Sequence, residues 1–419
     1  MRKIIQHRKI VALAIVLVTG AMAGLSRTPL FPGMALPPVL FALLGGSLVI
    51  SLGSLLMLGG LASYIVHTLT HPQRRAAPYP EPERVLNLPA ERVSFPALSD
   101  RHQVHGFYIA RPGATTTIVL SPGYRRGLKD ILEMCRPLWE AGHQVLAFEY
   151  HGHGGVVGVP ITLGYREIND FLGAIAYIKQ RDPSTHIGAL GYSMGAAVTL
   201  MGAARTQDVE AVVADSAFAS SWSAVELAVH RAFRLRCRLP GWLLTLLYST
   251  TDLLLWWRAG YHFHQVEPYQ DVAKIAPRPL LFIHGTNDAI VSLENATRLY
   301  EAAHFPKQLW LIEGAKHTKG YLVDRPGYHE HVLTFFEYAL SKASNPQHIW
   351  QGSERQPSSF LPFSSNGFND ANAKTHESAL TQEDAVPSYT VPDVPAQPGT
   401  FVSIGPSSES LSAASGRER

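Results

Sequence analysis

Cysteine is scarce in this 419-residue chain: there are two, Cys135 and Cys237. Two thiols so far apart form neither a disulfide framework nor a thiolate metal site. Both read as buried thiols, Cys135 inside a helix. Charge is scarce as well. Asp, Glu, Lys and Arg make up 16% of the residues, against about 25% in an ordinary soluble domain. The net charge of +3 is too small to argue for a nucleic-acid partner, and none is expected. From Thr28 to Gln73 there is no charged side chain other than histidine. Apolar residues, in contrast, make up 46% of the chain. That is ample for one domain of about 250 residues with extra segments around it.

The charge-free stretch places residues 1–75 in a membrane anchor of two apolar helices. The first run, Ile10–Leu25, follows Arg2, Lys3, Arg8 and Lys9. It reads either as a retained helix or as a signal peptide ending near Ala21-Met22-Ala23. The second run, Val39–Val66, exceeds the roughly 20 apolar residues needed to cross a bilayer. Its Gly45-Gly46 and Gly59-Gly60 pairs suit close helix packing in lipid. Arg74, Arg75, Arg84 and Arg92 follow it, whereas the loop between the runs holds only Arg27. The excess of basic residues puts the rest of the chain on the cytoplasmic face. Residues 76–91, rich in proline and charge, read as a linker.

From residue 92 to 342, strands and helices alternate, the pattern of a mostly parallel sheet covered on both faces. Expected strands are Arg92–Phe95, Val104–Arg111, Thr116–Leu120, Gln144–Tyr150, His186–Leu190, Val209–Ala214, Pro279–His284 and Gln308–Ile312. Expected helices are Leu128–Ala141, Leu163–Arg181, Ala196–Ala204, Leu293–His304 and Tyr328–Lys342. Residues of about 220–278 exceed any ordinary crossover and read as a helical cap. Within it, Arg231, Arg234, Arg236 and Arg238 precede the apolar run Trp242–Trp257. That run is expected to line an acyl site, since ligand pockets are mostly apolar. The arginines either meet anionic lipid or simply face water. Residues 343–419, poor in periodic apolar positions and rich in Ser, Pro, Asn and Gln, read as disordered.

The chemistry lies at the strand ends. Gly191-Tyr192-Ser193-Met194-Gly195 is a G-x-S-x-G turn between a buried strand and an Ala-rich helix, the setting that projects a serine hydroxyl above a sheet. A serine hydroxyl needs a neighbouring base, and the base needs an orienting carboxylate. Asp288 follows the strand ending at His284, and His317 follows the strand ending at Ile312. Both stand at carboxyl ends, in the chain order Ser, Asp, His. Asp215, after the next strand, is an alternative acid; His284 and His304 are alternative bases. The N–H of Met194, at a helix N-terminus, suits an oxyanion donor. The N–H of Tyr124, after Ser121-Pro122-Gly123, is the expected second donor. His151, His153, His262 and His264 lack the carboxylate or cysteine spacing of a metal site and read as loop and cap residues.

With these residues in place, the chain resembles the alpha/beta-hydrolase superfamily. More narrowly it resembles membrane-anchored serine hydrolases of the serine aminopeptidase-like and acyl-protein-thioesterase-like groups. Further points of resemblance are Phe148-Glu149-Tyr150-His151-Gly152-His153-Gly154, Tyr165-Arg166-Glu167 and Asp215-Ser216-Ala217-Phe218-Ala219. Two positions depart from the family pattern: Ser121-Pro122-Gly123 replaces the usual His-Gly, and Ala196 replaces a second glycine after the elbow. The resemblance implies hydrolysis of an ester, thioester or amide through an acyl-serine, without a cofactor. Ser193 would be the nucleophile, Asp288 the orienting acid and His317 the base. An ester or thioester near a lipid surface is the first expectation. A serine peptidase acting on short peptides and a non-catalytic binding scaffold are the alternatives.

Overall fold

A computed structural model of the chain describes residues 38–72, 83, 86–99, 102–154, 158–232 and 240–341. The first apolar run, most of the linker, Cys237, Arg234, Arg236, Arg238 and the tail lie outside the described residues.

Eight strands form one sheet: β1 (Ala90–Pro96), β2 (Gln103–Ile109), β3 (Thr116–Ser121), β4 (Gln144–Glu149), β5 (His186–Tyr192), β6 (Val209–Asp215), β7 (Leu280–Gly285) and β8 (Lys307–Ile312). Their order is β1-β2-β4-β3-β5-β6-β7-β8. β1 and β2 pair antiparallel, as do β2 and β4; the other pairs are parallel. The register sets Tyr192 beside Asp215, Asp215 beside Ile283, and Gly285 beside Ile312. The carboxyl ends of β5 to β8 therefore lie in one row. Loops at those ends are where an open α/β sheet presents its reactive groups.

The helices are α1 (Pro38–Thr70), α2 (Cys135–Glu140), α3 (Glu167–Arg181), α4 (Met194–Ala203), α5 (Ser221–Ala232), α6 (Gly241–Ala259), α7 (Pro268–Asp271), α8 (Leu293–Ala302), α9 (Gly320–Val323) and α10 (Arg325–Ser341). They cover both faces because successive strand side chains point to opposite sides. On β3, Val119 joins the core shared with α3, α4 and the cap, while Ile118 and Leu120 join the core beneath α2 and α10. The fold is thus the expected α/β one.

Several boundaries differ from the sequence expectation. The segment 128–141 is α-helical only from Cys135; two short 3₁₀ turns, Leu128–Asp130 and Leu132–Met134, precede it. The cause is Pro137, which has no N–H and whose ring would clash with the carbonyl four residues back. An α-helix tolerates it only in its first turn. The predicted inward face survives, with Leu128, Ile131, Leu132, Cys135 and Leu138 all buried. The helix expected from Leu163 begins at Glu167, because Leu163 (φ 55°) and Gly164 (φ 121°) have left-handed backbones. The buried Glu167 carboxylate accepts the N–H groups of Thr162 and Gly164 and the Thr162 hydroxyl, which holds that turn.

The anchor and linker also differ. α1 continues to Thr70, and Ala62, Ile65 and Val66 are buried in the same core as the sheet and cap. The last turns of α1 therefore belong to the folded domain and not to a separate anchor. Thr70 O accepts the N–H of Ile161 at 2.8 Å. At the other side, Leu86 and Leu88 of the expected linker are buried in the core beneath α2. The cap helix α6, expected to line the site, packs against α1, and Trp242, Leu253, Trp256 and Trp257 on it are exposed. One described stretch, Gly45–Thr70, is long and apolar enough to cross a bilayer.

Candidate active site

The turn between β5 and α4 puts Ser193 in a left-handed backbone, φ 54° and ψ −117°. Such a conformation costs a non-glycine residue on the order of 1–3 kcal/mol and persists only where neighbours enforce it. Here they do. Ser193 N–H donates to Asp215 O at 2.8 Å, and Ser193 O accepts from Ala197 N–H at 3.1 Å. The flanking glycines are dictated by space. A Cβ on Gly191 would lie 2.6 Å from Ala196 Cα. A Cβ on Gly195 would run into the carbonyl oxygens of Ser121 and Pro122. The motif spacing is thus the condition for strand, helix and the loop after β3 to meet at one point.

The loops after β7 and β8 are fastened to each other. Thr286 N–H donates to Ile312 O at 3.0 Å, Asn287 N–H to Ala315 O at 3.0 Å, and Gly314 N–H to Thr286 Oγ1 at 2.8 Å. Gly285 leaves no room for a Cβ, which would meet Ala315 O. This pairing brings Asp288 and His317 together. His317 Nδ1 donates to Asp288 Oδ2 at 2.7 Å, and His317 Nε2 lies 2.8 Å from Ser193 Oγ. With the proton on Nδ1 directed at a carboxylate, Nε2 is left to accept from the serine hydroxyl.

Asp288 is fully buried at its side chain. Its other oxygen, Oδ1, accepts the N–H groups of Ile290 and Val291 at 2.8 and 2.9 Å. Burial opposes ionisation, but the hydrogen bond and charge of His317 and the two backbone donors outweigh it. Its carboxyl is held below the ordinary value of 3.8. Asp215 has the opposite balance. Burial dominates, offset in part by hydrogen bonds from Tyr328 and Ser216, and its carboxyl is raised above 3.8. Its two oxygens accept the Tyr328 hydroxyl at 2.7 Å and the Ser216 hydroxyl at 2.8 Å. Ser216 Oγ in turn accepts Thr318 N–H at 3.2 Å, next to His317. Asp215 is therefore engaged behind the histidine loop and is not the partner of His317 Nδ1. Nothing in the sequence marked Tyr328 for this role beyond its place at the start of an expected helix.

Of the remaining candidates, His284 borders the site, its Nε2 3.5 Å from Asp288 Oδ2, and the others fall elsewhere. His284 is buried beneath the Asp288 loop, with Nε2 3.0 Å from Val291 O. His304 is exposed at the exit of α8. His151 N–H donates to Asp170 Oδ2 and its ring stacks on His102, whose Nε2 is 2.6 Å from Asp170 Oδ1. His153 sits against Tyr150; His262 Nδ1 is 2.8 Å from Asp252 Oδ2 and stacks on His264.

Met194 begins α4, with its N–H in the first helical turn beside Ser193. The loop holding Tyr124 lies against the elbow: a Cβ on Gly123 would sit 3.3 Å from Ser193 Cβ. The Tyr124 side chain reaches α1. Its hydroxyl donates to Leu69 O at 2.8 Å and Thr68 O at 3.2 Å, at the carboxyl end of α1. A contact of this kind has no sequence signature, because any helix offers carbonyls at its last turn.

A family model described as the alpha/beta hydrolase family matches residues 104–328. The chain belongs to the alpha/beta hydrolase family. Among curated proteins, this hydrolase is 28% identical over 243 residues to the uncharacterized protein YqkD of Bacillus subtilis, covering 56% of this chain and 76% of that one. It is 27% identical over 269 residues to the uncharacterized protein YfhR of Escherichia coli K12, covering 62% and 83%. Among solved structures, the hydrolase superposes on the Pyrococcus furiosus esterase Pf2001 with a TM-score of 0.53 at 23% identity, covering 65% of this chain and 98% of that one. At that identity the likeness is one of fold.

Proposed function

We propose that this hydrolase is a membrane-anchored serine hydrolase that cleaves carboxylic esters or thioesters through an acyl-serine. The observation that carries the reading is the hydrogen-bonded chain Ser193 Oγ, His317 Nε2, His317 Nδ1, Asp288 Oδ2, with links of 2.8 and 2.7 Å. As Ser193 Oγ bonds to the acyl carbon, its proton passes to His317 Nε2, and Asp288 balances the imidazolium. The oxyanion takes the N–H of Met194 and, as second donor, the N–H of Tyr124. Collapse breaks the bond to the leaving alcohol or thiol, which departs with the proton from His317. Water then attacks the acyl-serine by the same route and releases the acid. No step calls for a cofactor.

The membrane part rests on α1. Its apolar length fits a bilayer, and the basic residues after it favour the cytoplasmic face. A substrate that partitions into lipid follows from that position. The decisive experiment is labelling of the detergent-solubilised full chain with a fluorophosphonate. Wild type is expected to label and Ser193→Ala to lose both the label and turnover. Full labelling of Ser193→Ala would remove Ser193 as nucleophile. A series of p-nitrophenyl esters of rising acyl length, run beside aminoacyl amides, assigns the substrate class. Faster turnover of the amides would replace the ester reading with the peptidase one.

A further inference from the structure

α6 has two faces of opposite surroundings. Leu247, Thr251 and Leu255, spaced i, i+4, i+8, are buried. On the other side Trp242, Leu246, Leu253, Trp256 and Trp257 are exposed, with exposures of 46–71%. Their spacing of 4, 7, 3 and 1 residues keeps them on one helical stripe. Thr245 and Ser249 interrupt that stripe, and neither carries charge. The Thr245 hydroxyl donates to Gly241 O at 3.0 Å and the Thr250 hydroxyl to Leu246 O at 2.8 Å. The hydroxyls of Thr245 and Thr250 are thus satisfied within the helix, as a lipid-facing helix requires. The acid of the helix, Asp252, turns inward to Phe263 N–H and His262 Nδ1. The terminal Arg258 reaches Ser63 Oγ of α1 at 3.0 Å.

The length of α1 locates this face. From Ile50 to Met57 every residue is exposed, and from Leu58 onward α1 packs on the domain. The helix ahead of Leu58, Pro38–Met57, is about 20 residues or ~30 Å long, the thickness of a hydrocarbon core. A domain clamped to the helix directly below that span has no slack. It stands at the bilayer surface, and α6, packed on α1, stands there with it. Exposed apolar side chains then stand on both packed helices, Ile50, Leu52, Leu55, Leu56 and Met57 on α1 and, on α6, a stripe that includes the adjacent Trp256 and Trp257. Indole rings favour that boundary between acyl chains and headgroups.

We propose that the outward face of α6 lies in the interface of the bilayer crossed by α1, its tryptophans among phosphatidylcholine acyl chains. The cap is then a second, non-spanning membrane contact. This rests on the anchor reading of α1, and one experiment separates the two. The full chain is reconstituted into phosphatidylcholine vesicles with acyl chains brominated near the headgroup or near the bilayer centre. Flotation after an alkaline wash reports α1; quenching of tryptophan fluorescence reports α6. Wild type is expected to float and to be quenched more by the shallow bromines. Trp242→Phe/Trp256→Phe/Trp257→Phe is expected to float equally and to lose most of the quenchable signal. These substitutions are exposed and conservative, and the Ser193 labelling of the variant checks its fold. Flotation with an unchanged quenchable signal in the variant overturns the α6 inference alone; a second copy of the chain or another segment would then cover the face. Failure to float overturns the anchor reading and this inference with it.

Discussion

At the rim made by β5, β7 and β8, polar groups are locked in sequence. Ser193, His317 and Asp288 are joined by bonds of 2.7–2.8 Å, and Asp288 is tied down by two backbone N–H groups. Along α1 and α6 the large exposed side chains are mostly leucine, isoleucine, methionine and tryptophan, with Arg258 at the end of α6 the exposed charge among their described residues. The rim gains specificity from directed hydrogen bonds whose loss leaves a buried charge uncompensated. The apolar surface gains location from a force without direction, proportional to area. On the proposed function, one region would set what reaction occurs and the other where it occurs. They meet at Gly123-Tyr124, where Gly123 lies against Ser193 and the Tyr124 hydroxyl holds the end of α1.

The largest effect is expected from damage to the rim that leaves the apolar surface intact. Asp288→Asn keeps the shape but replaces an acceptor facing His317 Nδ1 with an amide. The imidazole is then held in the wrong tautomer, and kcat is expected to fall by roughly 10⁴-fold. Flotation with vesicles should be unchanged. Single-turnover hydrolysis of a p-nitrophenyl ester measures the first effect. A fall of less than tenfold would mean that another group orients His317.

The opposite damage separates the two halves of α1. Removing residues 1–57 takes away the exposed stretch Ile50–Met57 but spares Ala62, Ile65 and Val66, and should leave a hydrolase that no longer floats but retains its thermal stability and turnover. Removing residues 1–75 also strips Ala62, Ile65 and Val66 from the core and the partner of the Tyr124 hydroxyl. At about 1.5–3 kcal/mol for each large buried side chain, the longer truncation should lose about 5 kcal/mol. That corresponds to a melting temperature lower by ~10–20 °C for a domain of this size. Equal melting temperatures for the two truncations would show that the end of α1 is a mere tether.

These halves also show where sequence reasoning stops. Ser193, Asp288 and His317 were legible because backbone geometry leaves few options: two glycines where strand, helix and loop touch, and polar residues at the ends of parallel strands. Val66 and Met57 look alike as letters in an apolar run, yet one is buried in the domain and the other is exposed. Nothing in local periodicity distinguishes lipid from a protein core, since both favour the same side chains. The same blindness hides that one side of Trp242–Trp257 packs on α1 and the domain core while Trp242, Leu253, Trp256 and Trp257 are exposed. The late start of α2 was legible in principle, from Pro137. The Asp215–Tyr328 contact was not, because its partners are 113 residues apart.

The smallest expected effect tests the order of charge within the rim. Asp288 is held below and Asp215 above the ordinary 3.8, so the two buried carboxyls are pushed apart by their surroundings. A folded-state pKa raised above the unfolded value means that the folded chain binds the proton more tightly. Asp215 then contributes stability that is fully present below pH 3.8 and lost as pH rises through its folded value. Asp215→Asn removes that loss. It also weakens the bonds to Tyr328 and Ser216; these favour the carboxylate, but burial outweighs them in the raised value, so the pH-dependent part keeps the sign set by burial. The melting temperature of the variant minus that of wild type should therefore become more positive from pH 4 upward and then level off. A difference that grows more negative over the same range would mean that folding favours the Asp215 carboxylate, with Tyr328 and Ser216 outweighing burial. Two ionised acids would then stand behind His317, and the division of roles at the rim would have to be redrawn with the negative charge shared between β6 and β7.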